Sequence, residues 1–418
     1  MKIALVVPGG VDRTGEFRVI PVLLALIERL ARTHDVHVFA LHQETVAGRW
    51  DLAGATIHNI GDHWTRLRAV AAIFTEHRRA PFELVHAIFS GPCSLVAVTA
   101  AKLLWLPSLV HIAGGELVAL NEIDYGGLRT WKGRLREACV LRGADVITAA
   151  SAPIIDLLLA RGLKAKRVPL GVDLRAWSPL GPRERGARRA RLIHVASLNR
   201  VKDQTTLLRA LAALVDMGLE FEMDIVGEDT LQGEMQMLAR QLGLERHVRF
   251  HGFKTQCELR PMMEAADLLV MSSQHEAGPL VLLEAAVAGV PAVGTAVGHF
   301  VEWSPSACLA VPVKDWNELA NAIREVITNE GLRLQLAREA QRRAMLEDAD
   351  YTAQALQALY PQHASLVARR SKHVEFEGEK DSVTGRIQGD LDPDGAVRAS
   401  LRHAEFSHLN SGIRSLVR

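Results

Sequence analysis

Cysteine is scarce: four residues, at 93, 139, 257 and 308, are spread over 418 positions with no C-x-x-C pair. That spacing excludes a zinc cluster and a disulfide framework, and reduced thiols in a reducing compartment are expected. An excess of charge of one sign is also lacking. Lys+Arg number 49 against 48 Asp+Glu, a formal net charge of +1, so no whole-molecule electrostatic grip on nucleic acid is indicated, local basic patches aside. No clean apolar run of about 18 residues exists; the most apolar region, 85–112, is interrupted by Pro92, Lys102 and Pro107. The apolar run at 3–7 is too short for a signal-peptide core and stops at Pro8-Gly9-Gly10. The expectation is a soluble, cytoplasmic protein.

What is present is ordinary globular material, 48% hydrophobic and 23% charged, long enough for two or three domains. Short β-branched runs at 3–7, 36–41, 56–60, 84–87, 108–113 and 146–149 alternate with helical patterns at 17–33, 64–78, 92–104, 128–142 and 152–160. Apolar runs of this length suit parallel strands covered on both faces, and their alternation with helices predicts a doubly wound α/β sheet. A Pro/Gly-rich passage from Pro169 to Pro182, then a cluster of arginines, marks a boundary. The alternation resumes with strands at 192–196, 221–226, 248–251, 268–271 and 292–295. Helices are expected at 204–215, 233–242, 258–265, 281–288, 316–327, 332–347 and 351–366. Two Rossmann-like domains facing across a cleft are expected, over 1–175 and 176–348. A closing helix over 349–368 is expected to pack back on the first domain, and 369–418 to form a poorly ordered tail.

Several turns after strands could carry chemistry. Pro8-Gly9-Gly10 through Gly15 lets main-chain N–H groups approach an anion. It is neither G-x-G-x-x-G nor G-x-x-x-x-G-K-[ST], which weakens NAD binding and excludes an ATPase loop. Ser197-Leu198-Asn199-Arg200-Val201-Lys202 opens a helix and places two cations where a diphosphate could sit. His275-Glu276-Ala277-Gly278-Pro279 is a loop, and Leu280 starts a helix carrying Glu284, so two carboxylates flank a helix N-terminus. Gly298-His299 is a further glycine turn. His86 and His111 lie on strands and are either core groups or cleft groups. In the tail, Asp390-Leu391-Asp392-Pro393-Asp394-Gly395 resembles the start of a calcium loop, but Leu401 stands where that loop needs Glu.

Glu276 to Glu284, Ser197 to Lys202, the Gly9-Gly10 loop and Gly171-Val172-Asp173 together resemble the family-4 glycosyltransferases, which have the GT-B architecture. The resemblance covers roughly 1–366 and is most specific over 273–295. It implies a metal-independent hexosyltransferase. A sugar would move from a nucleotide-diphosphate donor, a UDP- or GDP-sugar, to an acceptor hydroxyl with retention, in polysaccharide, glycolipid or glycoconjugate synthesis. No cofactor would be needed. Glu284 would hold the ribose hydroxyls. Glu276 would contact the donor sugar, and Lys202, with Arg200, would neutralise the diphosphate. Gly9 and Gly10 would touch the diphosphate from the first domain, with Ser197, Gly278 and Leu280 completing the donor site.

Three positions depart from the family's pattern. Ser197 stands where arginine is usual, and Arg200 could substitute. Ala113 replaces a histidine after the fifth strand, and His111 lies on the same side by period-2 alternation. Pro279 lacks an N–H. A nucleotide-sugar epimerase, or a subunit that binds nucleotide sugars without turnover, remain the alternatives; Ala113 and Ser197 favour the latter. The helix at 129–142, with Trp131 and five cations, could make peripheral contact with the inner face of a membrane.

Overall fold

The computed structural model describes residues 1–360. The first half builds β1 (Lys2–Val7), α1 (Pro21–Ala31), β2 (Asp35–Ala40), β3 (Gly48–Leu52), β4 (Ala55–Asn59), α2 (Thr65–Arg79), β5 (Leu84–Ile88), α3 (Pro92–Leu104), β6 (Ser108–Ile112), α4 (Trp131–Gly143), β7 (Val146–Ala149), α5 (Ala152–Leu159) and β8 (Lys166–Arg167). These strands form one sheet in the order β3-β4-β2-β1-β5-β6-β7-β8. All pairings are parallel except β3 against β4.

The unbroken apolar text of β1 follows from its central place. Ile3, Leu5 and Val7 join the core under α1, while Ala4 and Val6 join the core on the other face with residues of α2 and α3. A strand buried on both faces has no polar side to alternate with. The pairing Val6↔Ala87 carries the same division into β5.

The second half repeats the plan with β9 (Ala190–Val195), α6 (Gln204–Asp216), β10 (Phe221–Val226), α7 (Glu234–Gln241), β11 (Val248–Phe250), α8 (Gln256–Ala265), β12 (Leu268–Met271), α9 (Leu280–Val287), β13 (Ala292–Thr295), α10 (His299–Trp303), β14 (Leu309–Val311), α11 (Trp316–Thr328), α12 (Glu330–Leu346) and α13 (Ala349–Gln357). Its parallel sheet runs β11-β10-β9-β12-β13-β14. Leu192 and Ile193 again enter different cores. Thr255 and Glu258 form a reciprocal capping box that fixes the start of α8.

After α12 the chain returns to the first domain. α13 packs on α1, and Ala353, Leu356, Leu359 and Tyr360 enter the first core. At this crossing Gly171 donates its N–H to Thr352 Oγ1 (2.8 Å), which donates to the Pro169 carbonyl (2.8 Å). A Cβ at Gly171 would lie 2.1 Å from the Glu347 carbonyl oxygen. Gly171→Ala is therefore expected to lower the unfolding free energy by roughly 2–3 kcal/mol, near the upper end of overpacking costs. Urea titration measures it, and an unchanged midpoint would refute the steric argument.

Arg167 on β8 ties the two domains, bonding Glu302 (2.7 Å) and Glu347 (2.5 Å) of the second, while Arg29 on α1 holds the two crossing segments to the first domain through Asp173 (3.0 Å) and Asp350 (2.6 Å). The remainder of the expected helix at 351–366, the rest of the closing segment, the tail from 369 and its Asp390–Gly395 motif lie outside the described residues.

Candidate active site

The carboxyl ends of both sets of strands meet across a cleft. After β12, the loop Ser272–Pro279 reaches the first domain. His275 Nε2 lies 3.4 Å from the Gly114 carbonyl beyond β6, its ring is 5.9 Å from Tyr125, and Ala277 is buried in a first-domain core. Gly278 is required by this approach, because a Cβ there would stand 2.9 Å from His299 Nε2 and 3.2 Å from Ala150 Cβ.

Glu276 faces Lys202 on this wall. Lys202 Nζ donates to Glu276 Oε1 at 2.6 Å, and Ser273 Oγ donates to the same oxygen at 2.7 Å. The backbone holds both partners in place. The Lys202 carbonyl accepts from Ser272 Oγ (2.8 Å), the Val201 carbonyl from Gln274 N–H (2.7 Å), and the Lys202 N–H donates to Asn199 Oδ1 (3.1 Å). Ser197, half-buried, is anchored from behind. Gln204 Nε2 donates to its carbonyl (3.1 Å) and lies 3.2 Å from His194 Nε2. His194 Nδ1 in turn lies 2.9 Å from the Val270 carbonyl, which makes Nδ1 the donor and Nε2 the acceptor for Gln204. Burial holds this imidazole neutral, with a pKa lowered to about 4.

Leu280 and Glu284, on the first two turns of α9, line a separate part of the cleft. This cavity of about 510 Å³ is bordered by Gly15, Arg18 and Val22 of the first domain and by Trp177 and Thr255. Burial raises the Glu284 carboxyl to about 7. Among the described residues, the donor turned toward it is the Trp177 indole N–H, which acts in the opposite direction but lies outside regular hydrogen-bond geometry. Glu284 is thus a partly buried carboxyl on the cavity wall with its acceptor capacity largely unspent.

Other expected site residues lie elsewhere. Arg200 is turned away from the Lys202–Glu276 pair; it is 63% exposed and 3.8 Å from Glu234 on α7. It does not compensate for Ser197 in this arrangement. His111 is fully buried inside the sheet and its Nδ1 is bonded to Thr148 Oγ1 (2.9 Å). Burial lowers its pKa to about 4, so it is a core imidazole and does not replace the one absent at Ala113. His86 is a core group too, bonded to the Tyr360 hydroxyl (3.0 Å). In the glycine loop, Gln43 Oε1 accepts from the Gly10 N–H (2.7 Å) and the Val11 N–H (2.9 Å). The Gly10 amide is therefore engaged, while Gly9 packs against Gln43 and the His42 carbonyl.

Sequence reasoning did not single out Tyr125, His275 as a cleft group, Trp177 or Gln43. Tyr125 projects from the irregular 113–130 passage; burial, then the Glu276 and Glu116 charges, raise its hydroxyl to about 12. No periodicity in that passage signals it. A second titratable cluster, His37 on β2, His58 on β4 and Glu76 on α2, lies on one face of the first sheet, apart from the Lys202–Glu276 pair. Its two imidazoles are joined end to end, 2.9 Å between nitrogens with planes 21° apart, and Lys2 Nζ sits on Glu76 (3.2 Å). One ring N–H donates to the other ring's lone pair, so the two imidazoles satisfy each other instead of converging on a common point, which makes this a closed hydrogen-bonded cluster.

Two facing parallel sheets, with a lysine–glutamate pair and a waiting carboxyl in the cleft, define the GT-B class of two-domain folds. The fold is similar to sucrose-phosphate synthase from Thermosynechococcus elongatus (TM-score 0.72, 19% identity, covering 87% of this chain and 99% of that one). It is also similar to Anabaena HepE in complex with UDP-glucose (TM-score 0.67, 20% identity, 87% and 100%). The family model Glycosyl transferase 4-like domain matches residues 19–173, and Glycosyl transferases group 1 matches residues 183–343. The chain is 31% identical over 283 residues to the D-inositol 3-phosphate glycosyltransferase of Corynebacterium jeikeium, covering 62% of this chain and 67% of that protein. It is 29% identical over 221 residues to a glycogen synthase of Mycobacterium tuberculosis, covering 51% and 53%. The match to EpsF of Bacillus subtilis, 30% over 229 residues, takes in 51% of this chain and 57% of that protein, a little over half its length. The chain belongs to the family-4 glycosyltransferases of GT-B type.

Proposed function

We propose that the protein transfers a sugar from a nucleoside-diphosphate donor, a UDP- or GDP-sugar, to an acceptor hydroxyl with retention at the anomeric carbon and without a metal. The observation that carries this reading is the 2.6 Å Lys202–Glu276 pair at the strand ends, with Glu284 eight residues on in the adjoining cavity. The donor diphosphate draws Lys202 from Glu276. The leaving group's charge is then met by the ammonium and by main-chain amides, and Glu276 faces the sugar as positive charge develops there. The ribose hydroxyls donate to Glu284, giving its carboxylate the partners the free protein withholds. Packing of the 272–279 loop against the first domain keeps water from the bond being broken. The acceptor enters from the first-domain side, and a lipid-linked or saccharide acceptor fits a protein working at the cytoplasmic face of a membrane through the 129–142 region. Among the described residues no helix is long and apolar enough to cross a membrane.

Calorimetric titration with UDP-glucose and GDP-mannose tests the reading, and saturable binding to neither would end it. Glu284→Gln supplies a signature of opposite signs. The folded carboxyl holds its proton up to about 7, so stability falls as pH rises from the unfolded value near 4.5 to 7. The amide removes that cost. The variant is expected to melt higher than wild type at pH 8 while binding the nucleotide sugar at least about tenfold more weakly, the loss of one to two hydrogen bonds to a charged group. Equal affinity would remove Glu284 from the site.

A further inference from the structure

Among the described residues three tryptophans are exposed, and all three lie on consecutive helices of the first domain: Trp64 (78%) before α2, Trp105 (78%) after α3 and Trp131 (64%) at the start of α4. α2 packs on α3 and α3 on α4, so the three helices form one layer over the sheet. Leu67, Leu103 and Leu135 are exposed on the same helices. Two of the indoles are held at a backbone cost. Trp64 and Trp105 cap their helices in the left-handed region, at φ 51° and 57°, where glycine would be unstrained and would expose no apolar surface.

The charge on this layer is of one sign. α2 presents Arg66, Arg68, Arg78 and Arg79 to solvent, and α4 presents Lys132, Arg134 and Arg142. The acids of the three helices are spent inside: Glu76 is buried against Lys2 (3.2 Å), and Glu137 is buried against Arg136 (3.0 Å). The chain as a whole is nearly neutral, so this is a local accumulation. Indoles and leucines interleaved with cations, with no exposed acid on the three helices themselves and Asp62 exposed only in the turn before α2, match a surface that is anionic outside and apolar a few ångströms in. A soluble polyanion would use the cations but leave the strained indoles without a role. A groove of about 390 Å³ bounded by Trp64, Leu67, His42 and Pro92 opens at the cleft-side ends of α2 and α3.

We propose that the α2–α3–α4 layer docks on a bilayer containing anionic lipid, with Trp64, Trp105 and Trp131 entering the interface and the arginines of α2 and α4 holding the headgroups. The proposal deepens the membrane contact suggested above, from one helix to a three-helix face. Docked this way, the groove beside Trp64 opens from the lipid surface toward the strand ends of the first domain.

The test is co-sedimentation of the full chain with vesicles of phosphatidylcholine alone or mixed with phosphatidylglycerol, read together with tryptophan emission. Binding to the mixed vesicles, a blue shift on binding and loss of both at high salt are expected. Arg66→Glu/Arg68→Glu is expected to lower the partition coefficient at least about twentyfold, since each basic residue at such a surface contributes about fivefold. Trp64→Ala/Trp131→Ala is expected to lose most of the blue shift. The proposal is overturned if the wild type stays in the supernatant with mixed vesicles, if the arginine variant binds as well as wild type, or if heparin competes fully while vesicles give no blue shift, which would mark a polyanion partner. Calorimetric binding of UDP-glucose without vesicles reports separately on the transferase reading, so either can fail alone.

Discussion

Lys202→Ala is expected to lower turnover of the nucleotide-sugar donor by about 10²–10³, the usual effect of deleting one donor aimed at developing negative charge. In the free protein the substitution also leaves Glu276 with only the Ser273 hydroxyl (2.7 Å) in place of the 2.6 Å ammonium. Glu276→Gln is expected to produce a similar loss. The pair acts as a unit, so the double variant should be less than about tenfold worse than the poorer single one. Donor consumption, followed as release of nucleoside diphosphate, measures all three. Losses that multiply fully would show the two groups working independently, and a Lys202→Ala enzyme within a few-fold of wild type would remove the lysine from the chemistry.

A steep loss of stability between pH 6.5 and 4.5 is the second large effect expected. His86, His111 and His194 are fully buried, and burial lowers their values to about 3, 4 and 4. The unfolded chain takes up protons near 6.5 and the folded one only near 4 or below. Stability is therefore complete above 6.5 and declines as pH falls through that window. Each histidine costs about 1.4 kcal/mol per pH unit, so three cost roughly 4. Glu284 and Glu116, raised by burial, act in the opposite direction over the same range, while His58, lowered to about 4 by burial, adds to the fall, so stability declines on balance as the pH drops. Carboxylates held low by hydrogen-bond donors, Glu28 by Arg175 and Glu302 by His299 and Arg167, both about 2, add their loss only below about pH 4.5. Urea midpoints at half-unit pH steps would resolve the two windows. A flat profile from pH 7 to 5 would show that these imidazoles reach solvent.

The parts of the molecule that could be read from the sequence are those where one physical demand dominates. Central strands such as β1 and β12 must be apolar on both faces, and their text says so. Glu276, Gly278 and Glu284 could be read because a loop, a close approach and a helix start follow one another at fixed spacing. The β3–β4 hairpin was not anticipated. Its strand β3 is a half-exposed edge that alternates rather than running apolar, and its turn at Ala53-Gly54 (φ 51° and 77°) lies in a stretch for which the sequence pattern predicts no element. Helix α1 begins at Pro21 rather than at 17, because the Gly10–Ile20 passage folds on itself through Ile20 N–H to the Gly10 carbonyl (3.0 Å). Arg200 and His111 show the limit of spacing arguments. Proximity in sequence placed both near the cleft, but a turn directs Arg200 toward α7, and a side chain pointing along the sheet normal is enclosed by the layer above it.

The chain passes between its two lobes twice, once outward after β8 and once back before α13, and the passages lie side by side. Ala349 N–H bonds the Val172 carbonyl at 3.0 Å, and Gly171 abuts the carbonyls of Glu347 and Asp348. Two adjacent pins behave unlike one flexible tether. They resist torsion of one lobe over the other and leave a swing about the single axis that runs through the paired crossings.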